Sequence, residues 1–478
     1  MLFNSFEFLF IFLPVTLAVF FLLGAKGWTS AAGAWLAVAS LGFYSYWNPH
    51  DVPIILASIG INYLVGERIT RTRSKGLLWL GVFGNLMLLG VCKYGGFVVE
   101  NLNALLHTQW PVPKQILPLG VSFFTFTQIA FLVDAFRGGT EHYKGLRYGL
   151  FVLFFPHLIA GPIVHHNQLI PQLGRKDIFR FQTGPFAVGV TLFTLGLAKK
   201  VIFADSLAVF VRPIFAAAAN GEVPGFFDAW TAALGYTLQL YFDFSGYSDM
   251  ALGLARMFNV KFPANFNSPY KATSIIDFWR RWHITLSAFL RNYLYIPLGG
   301  SRCGKARHYV NLFLTMLLGG IWHGAGWTFV FWGAWHGALL CTNHLYRAWR
   351  GTTGESRFGN ITAGALTFVS VVIGWVFFRA ASFDAALNVL RGMGGEISMS
   401  GMLESVRSLA WIAVLLPVVW FAPNTQELVA AHEPAMHDVP PSRWSWSPST
   451  RWAVVVALIF SVSVLHLSRI SEFIYFQF

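Results

Sequence analysis

Apolar residues run along this chain in long blocks separated by short polar stretches. A helix that crosses a bilayer needs about 20 mostly apolar residues. Segments near that requirement are 6–24, 28–47, 51–66, 76–93, 117–136, 147–164, 183–202, 226–242, 309–322, 325–346, 361–379, 405–422 and 452–468. Several are short or interrupted, so about ten to thirteen crossings are expected, a few of them re-entrant. The stretch FFPHLIAGPI carries Pro156, Gly161 and Pro162 inside one apolar block. Broken backbone at membrane depth survives only where protein or a water-filled cavity satisfies it. That stretch is a candidate cavity wall.

The polar stretches give orientation. Arg68, Arg71, Arg73 and Lys75 form one basic loop; Arg137, Lys144 and Arg147 a second; Arg175, Lys176 and Arg180 a third. The positive-inside bias places all three in the cytoplasm and the N-terminus outside. Two basic loops then flank 147–164, which suits a segment that dips and returns. Residues 243–308 differ. FDFSGYSD and FPANFNSPY are rich in turn and cap formers, and a long, partly polar excursion is expected there. SIIDFWRRWHITLSAFLRNYLYIPL reads as a helix at the cytoplasmic interface, with Asp277 four residues before Arg281. The polar segment 423–450 reads as an interfacial loop.

Composition narrows the class. Of 478 residues, 55% are hydrophobic and 12% charged, against about 25% charged in a soluble domain. Too little polar surface exists to cover a water-facing protein of this size. The net charge of +13 reflects basic membrane loops and anionic headgroups rather than nucleic acid. Cys92, Cys303 and Cys341 are far apart and suggest neither metal nor disulfide. The N-terminal MLFNSFEFLFIFLP lacks a basic n-region and cleavage site, and reads as a retained first span.

An ionisable residue at membrane depth is costly and marks a candidate site. GGIWHGAGWTFVFWGAWHGALL places His323 and His336 in Trp-rich apolar surroundings. On one unbroken helix they would sit about 20 Å apart and face different directions. Gly324 and Gly326 suggest instead a break after His323, with His323 at a helix end facing a cavity. In DFWRRWHITLS, helical spacing puts Trp279, His283 and Ser287 on one face. Arg280 and Arg281 would suit a phosphate-bearing donor or, more simply, lipid headgroups. For His336 and His157 the favoured reading is packing, with the ring donating to a carbonyl. Asp243 and Asp249 read as caps. No GxSxG, P-loop or HExxH is present, so hydrolase, NTPase and zinc-protease readings gain no support.

An ordered set of motifs carries a resemblance. MLFNSFEFLFIFLP, LPLGVSFFTFTQIAFLVDAFRG (117–138), FPHLIAGPIV (155–164), YFDFSGYSDMALGLARMFNVKFPANFNSPY (241–270), DFWRRWHITLSAFLRNYLYIPLGG (277–300), GGIWHGAGWTFVFWGAWHG (319–337) and the closing SEFIYFQF follow in order. The chain resembles the membrane-bound O-acyltransferases, in particular the bacterial branch with the alginate O-acetyltransferase membrane subunit. The resemblance implies an all-α polytopic fold, a ring of helices around a tunnel. It implies one domain over 1–478: N-terminal spans at 1–116, a motif-bearing core at 117–346 and C-terminal spans at 347–478. It implies that His323 is the essential family histidine and His283 the second site residue.

Acetyl-CoA is the expected donor, entering from the cytoplasm, with no resident cofactor and no metal. His323 is expected to act as general base on an acceptor hydroxyl, or to carry a transient acyl group. His283 is expected to orient His323 or donate to the oxyanion. Trp279, Arg280, Arg281, Trp282, Arg291 and Trp322 are the substrate-binding candidates, with the arginines placed for donor phosphates. A periplasmic partner of the SGNH-hydrolase type is expected to finish acetylation of an exported polysaccharide such as alginate or cellulose. The expected location is the bacterial inner membrane. The rival readings are an exporter that uses a carrier-protein thioester, a transporter without chemistry and a scaffold for a synthase.

Overall fold

The computed structural model describes residues 1–113, 117–140, 142–351, 357–437 and 439–467. The motif SEFIYFQF lies outside the described residues. Among those described, helices supply the regular structure and no strand occurs. Five helices are long and apolar enough to cross a membrane: Phe8–Ala25, Pro49–Thr72, Lys75–Leu106, Thr183–Ala219 and Phe358–Arg379. Val406–Phe421 and Thr450–Leu465 are shorter and also apolar. The chain is therefore an all-α, multi-pass membrane protein, as its apolar blocks predict. Ile11, Leu64, Leu80, Phe83 and Leu366 all face outward, which is stable where hydrocarbon is the solvent and the backbone bonds close within the helix.

The described residues form two compact units. The first holds Met1–Leu197, Tyr247–Ala264 and Val429–Leu467; the second holds Ala198–Gly246 and Asn265–Leu428.

In the first unit the three basic loops gather at one end. The Arg73 guanidinium donates to the carbonyls of Ala135 and Phe136, which close the helix Val121–Arg137. The hydroxyls of Thr70 and Thr140 lie 3.1 Å apart. Arg147 packs on Gly174, where a Cβ would stand 3.0 Å from the guanidinium. A shared face is what the positive-inside pattern requires of these loops. The block between them does dip and return. The helix Gly145–Leu153 has nine residues and reaches about 13 Å, less than half of a hydrocarbon core about 30 Å thick. The chain breaks at Phe154, passes through the short helix Phe155–Leu158 and comes back as His166–Leu173. The Phe155 N–H freed by the break donates to Ser40 Oγ at 3.2 Å.

The expected excursion at 243–308 starts later than the sequence suggests. One helix of 32 residues, Phe226–Met257, runs straight through FDFSGYSD. Asp243 and Asp249 are therefore not caps; both are buried in mid-helix. Asp243 lies 2.7 Å from Lys200 Nζ, which also bonds Asp205 at 2.8 Å. A carboxylate paired by another helix needs no helix end to satisfy it, and local sequence does not reveal that partner. Gly253 serves close packing rather than a turn: a Cβ there would stand 2.6 Å from the Gly189 carbonyl oxygen. Small residues let membrane helices approach this closely.

Candidate active site

The second unit contains both motif histidines. The DFWRRWHITLS segment is not one helix. Ile275–Arg281 ends at Trp282, His283 takes a left-handed backbone (φ 43°, ψ 55°), and Ile284–Leu290 starts afresh. Trp279, His283 and Ser287 therefore do not share a helical face. A non-glycine residue in this region costs about 1 kcal/mol and persists only where its surroundings over-determine it.

Asn265, fully buried in the preceding loop, is what determines it. Its backbone carbonyl accepts from Ile284 N at 2.9 Å, and Arg281 O accepts from Asn267 N at 2.9 Å. Its side-chain oxygen accepts from Thr285 N at 3.3 Å and Thr285 Oγ1 at 2.9 Å, and lies 3.1 Å from His283 Nδ1. A backbone N–H can only donate, so this atom is the oxygen of the amide, and His283 Nδ1 must carry the proton. The loop thus caps the new helix and fixes the imidazole's tautomer together. Sequence reasoning missed Asn265; its signal was an Asn in FPANFNSPY, read there only as a turn former.

The break after His323 is present. The helix Lys305–His323 ends on that residue, Gly324 and Gly326 are extended, and Trp327–Arg350 follows. The two helices pair through bare glycines. A Cβ on Gly320 would lie 2.5 Å from Phe329 O and 2.7 Å from Gly333 Cα. This close crossing brings the rings together. His323, 5% exposed, stands between Trp322 (centroids 4.8 Å), Trp332 (5.0 Å) and Phe378 (5.3 Å). His283, with no exposed surface, packs edge-on to Phe244 at 4.8 Å and lies 6.5 Å from Trp322. Trp322 is thus a neighbour of both histidines.

His336 departs from the sequence picture. Its ring lies 4.8 Å from Trp332, one turn earlier on the same helix, and because the two helices fold back on each other this is the same indole that His323 contacts. It is fully buried, also against Trp279 at 5.2 Å. Neither ring nitrogen has a hydrogen-bond partner among the described residues, so it packs without donating to a carbonyl. His157 belongs to the first unit, against Phe262 at 5.4 Å.

The other candidates separate by burial. Trp282 is buried, packing on Phe278 at 5.7 Å and Trp375 at 4.8 Å. Trp279 is half-buried on Trp332. Arg281 is held by Asp277 at 2.9 Å. Arg280 and Arg291 are exposed, and Arg291 bonds Asn292 at 3.3 Å. Arg280, Arg347 and His308 each stand close enough to His344 to act on it electrostatically. Arg347 also donates to Ser274 Oγ at 3.1 Å. The sequence reading had no place for Arg347, because only packing brings it beside the WRRWH segment. Among the described residues no set of three or more His, Cys, Asp or Glu could hold a metal ion.

Comparisons with known proteins agree with the motif order. The model of the membrane-bound O-acyltransferase family matches residues 117–383. The chain is 43% identical to the peptidoglycan O-acetyltransferase of Helicobacter pylori, over 83% of this chain and 80% of that one. It is 38% identical over the full length of both chains to a Pseudomonas aeruginosa protein named "Probable alginate O-acetylase AlgI". It is 25% identical to the teichoic acid D-alanyltransferase of Bacillus subtilis, over 60% of this chain and 78% of that one.

Proposed function

The chain belongs to the membrane-bound O-acyltransferase family, and from that premise we propose that it moves acetyl groups from acetyl-CoA towards an exported polysaccharide. The observation that carries this reading is the pair of buried imidazoles, His283 and His323, beside Trp322. The relatives named for O-acetylation of alginate and of peptidoglycan support acetyl as the acyl group and a glycan as the destination.

In the proposed reaction an acceptor hydroxyl oxygen attacks the thioester carbonyl while neutral His323 takes its proton. The tetrahedral intermediate collapses, the C–S bond breaks, and the imidazolium returns the proton to the leaving thiolate. A general base must be neutral to act, so the reaction starts from the neutral imidazole of His323. With Nδ1–H committed to Asn265, a neutral His283 has its lone pair on Nε2. It can accept a proton-bearing group there but cannot donate to an oxyanion, so its role is orientation. Arg280 and Arg347 are the proposed phosphate-binding pair for the donor; Arg281, held by Asp277, contributes less. A tunnel would admit donor and acceptor from opposite faces of the inner membrane, with the basic loops in the cytoplasm. A periplasmic partner of the SGNH type would complete transfer to the glycan.

The D-alanyltransferase relative favours one second reading, a carrier-protein thioester as donor. Sealed membrane vesicles of both orientations distinguish these. Labelled acetyl-CoA supplied on the side of the basic loops should label partner or glycan. Labelling that requires an acylated carrier protein would overturn the CoA assignment.

A further inference from the structure

A groove of about 1260 Å³ lies wholly within the first unit, and neither motif histidine lines it. Its walls come from the first membrane helix (Leu13, Leu17), from Thr183–Ala198 (Phe186, Val190) and from Thr450–Leu465 (Val456, Phe460). Among the described residues no acidic one lines it. The first two walls belong to candidate membrane-spanning helices, so the medium beside the groove is hydrocarbon.

One end is different. Phe21 and Phe181 meet there (centroids 5.4 Å). Neighbouring contacts bring the start of the third wall to the same end: Phe20 on Phe258 at 5.2 Å, Met436 N donating to Phe262 O at 3.0 Å, and His432 on Trp446 at 5.0 Å. Lys26, Arg180 and Arg451 follow, precede or interrupt the lining residues at this end, and all three are exposed. The nearby acids are already matched, Asp177 with Arg175 and Glu433 with Lys261. Ser447, Ser449 and Thr450 add hydroxyls, and Trp446 and Trp452 line the groove beside them; indoles are enriched at membrane–water interfaces. The end is therefore cationic and polar, and the rest is apolar.

We infer that this groove is a binding site for one anionic phospholipid, with acyl chains along the apolar walls and the phosphate at Lys26, Arg180 and Arg451. The test is native mass spectrometry of the full chain in neutral detergent, titrated with phosphatidylglycerol or phosphatidylcholine of identical acyl chains. Wild type should retain phosphatidylglycerol preferentially, each cation contributing about fivefold. The triple variant K26A/R180A/R451A should hold the two lipids equally. Ala18→Trp and Ala457→Trp, which fill the groove, should lose both. Equal retention of the two lipids by wild type, or undiminished retention in filled variants, would overturn the inference. So would a wild-type dimer that the filled variants dissociate, since the groove would then seat a second copy. The exposed triple variant keeps the test decisive if a filled variant fails to fold.

Discussion

Asn265→Ala isolates the contact that sets the His283 imidazole. It removes the acceptor shared by His283 Nδ1, Thr285 N and Thr285 Oγ1 and leaves the backbone bonds at Asn265 O and Arg281 O in place. At about 1 kcal/mol for each net hydrogen bond, the loss should be about 2–4 kcal/mol, with the chain still inserted. The effect on turnover has a separate origin. Without Asn265 the Nδ1–H tautomer loses its preference and the ring its orientation. Positioned proton transfer is worth about 10²–10⁴-fold, so kcat should fall at least about 10²-fold, equivalent to about 2.7 kcal/mol in the barrier, with little change in KM for the donor. Thr285→Val is the control. It removes the Oγ1 bond and keeps the His283–Asn265 pair, so it should cost about 1 kcal/mol of stability and almost no turnover. The assay is acetyl transfer in lipid nanodiscs beside a thermal melt of each variant. His283→Ala added to Asn265→Ala should cost little more than either alone. A folded Asn265→Ala protein turning over within twofold of wild type would refute the reasoning.

Three further outcomes follow from packing and charge. Gly320→Val should empty the membrane of folded protein, because its Cβ would meet backbone at 2.5 Å and overpacking there has no side chain to yield; normal accumulation on a membrane immunoblot would contradict the close crossing. Lys200→Met should destabilise by about 3–5 kcal/mol by leaving Asp205 and Asp243 without their cation. Adding Asp205→Asn and Asp243→Leu should recover much of the loss in a detergent melt, and no recovery would show that the trio does more than balance charge. His336→Phe removes no hydrogen bond seen among the described residues, so melting temperature and turnover should stay near wild type; abolished transfer in a folded protein would move His336 into the site.

Much of this was legible in the sequence. Helical apolar blocks are a local signal, and so are the Pro and Gly that break 147–164 and the glycines that end the Lys305–His323 helix. What escaped was set by distant partners. Asp243 reads as a cap until Lys200 is found beside it. The helix across WRRWH fails because Asn265, 18 residues earlier, supplies a better cap than the continuing helix does. Trp332 reaches His323 only because Gly320 and Gly333 let two helices touch, while its contact with His336 is four-residue spacing on one helix.

The central claim is that acyl transfer happens at His323. The most direct test is single-turnover transfer of labelled acetyl from acetyl-CoA in membranes carrying wild type or His323→Ala, with the proposed periplasmic partner present and equal amounts of folded protein. Label should reach partner or glycan with wild type and fall to background with His323→Ala. Equal labelling by the two proteins would contradict the account.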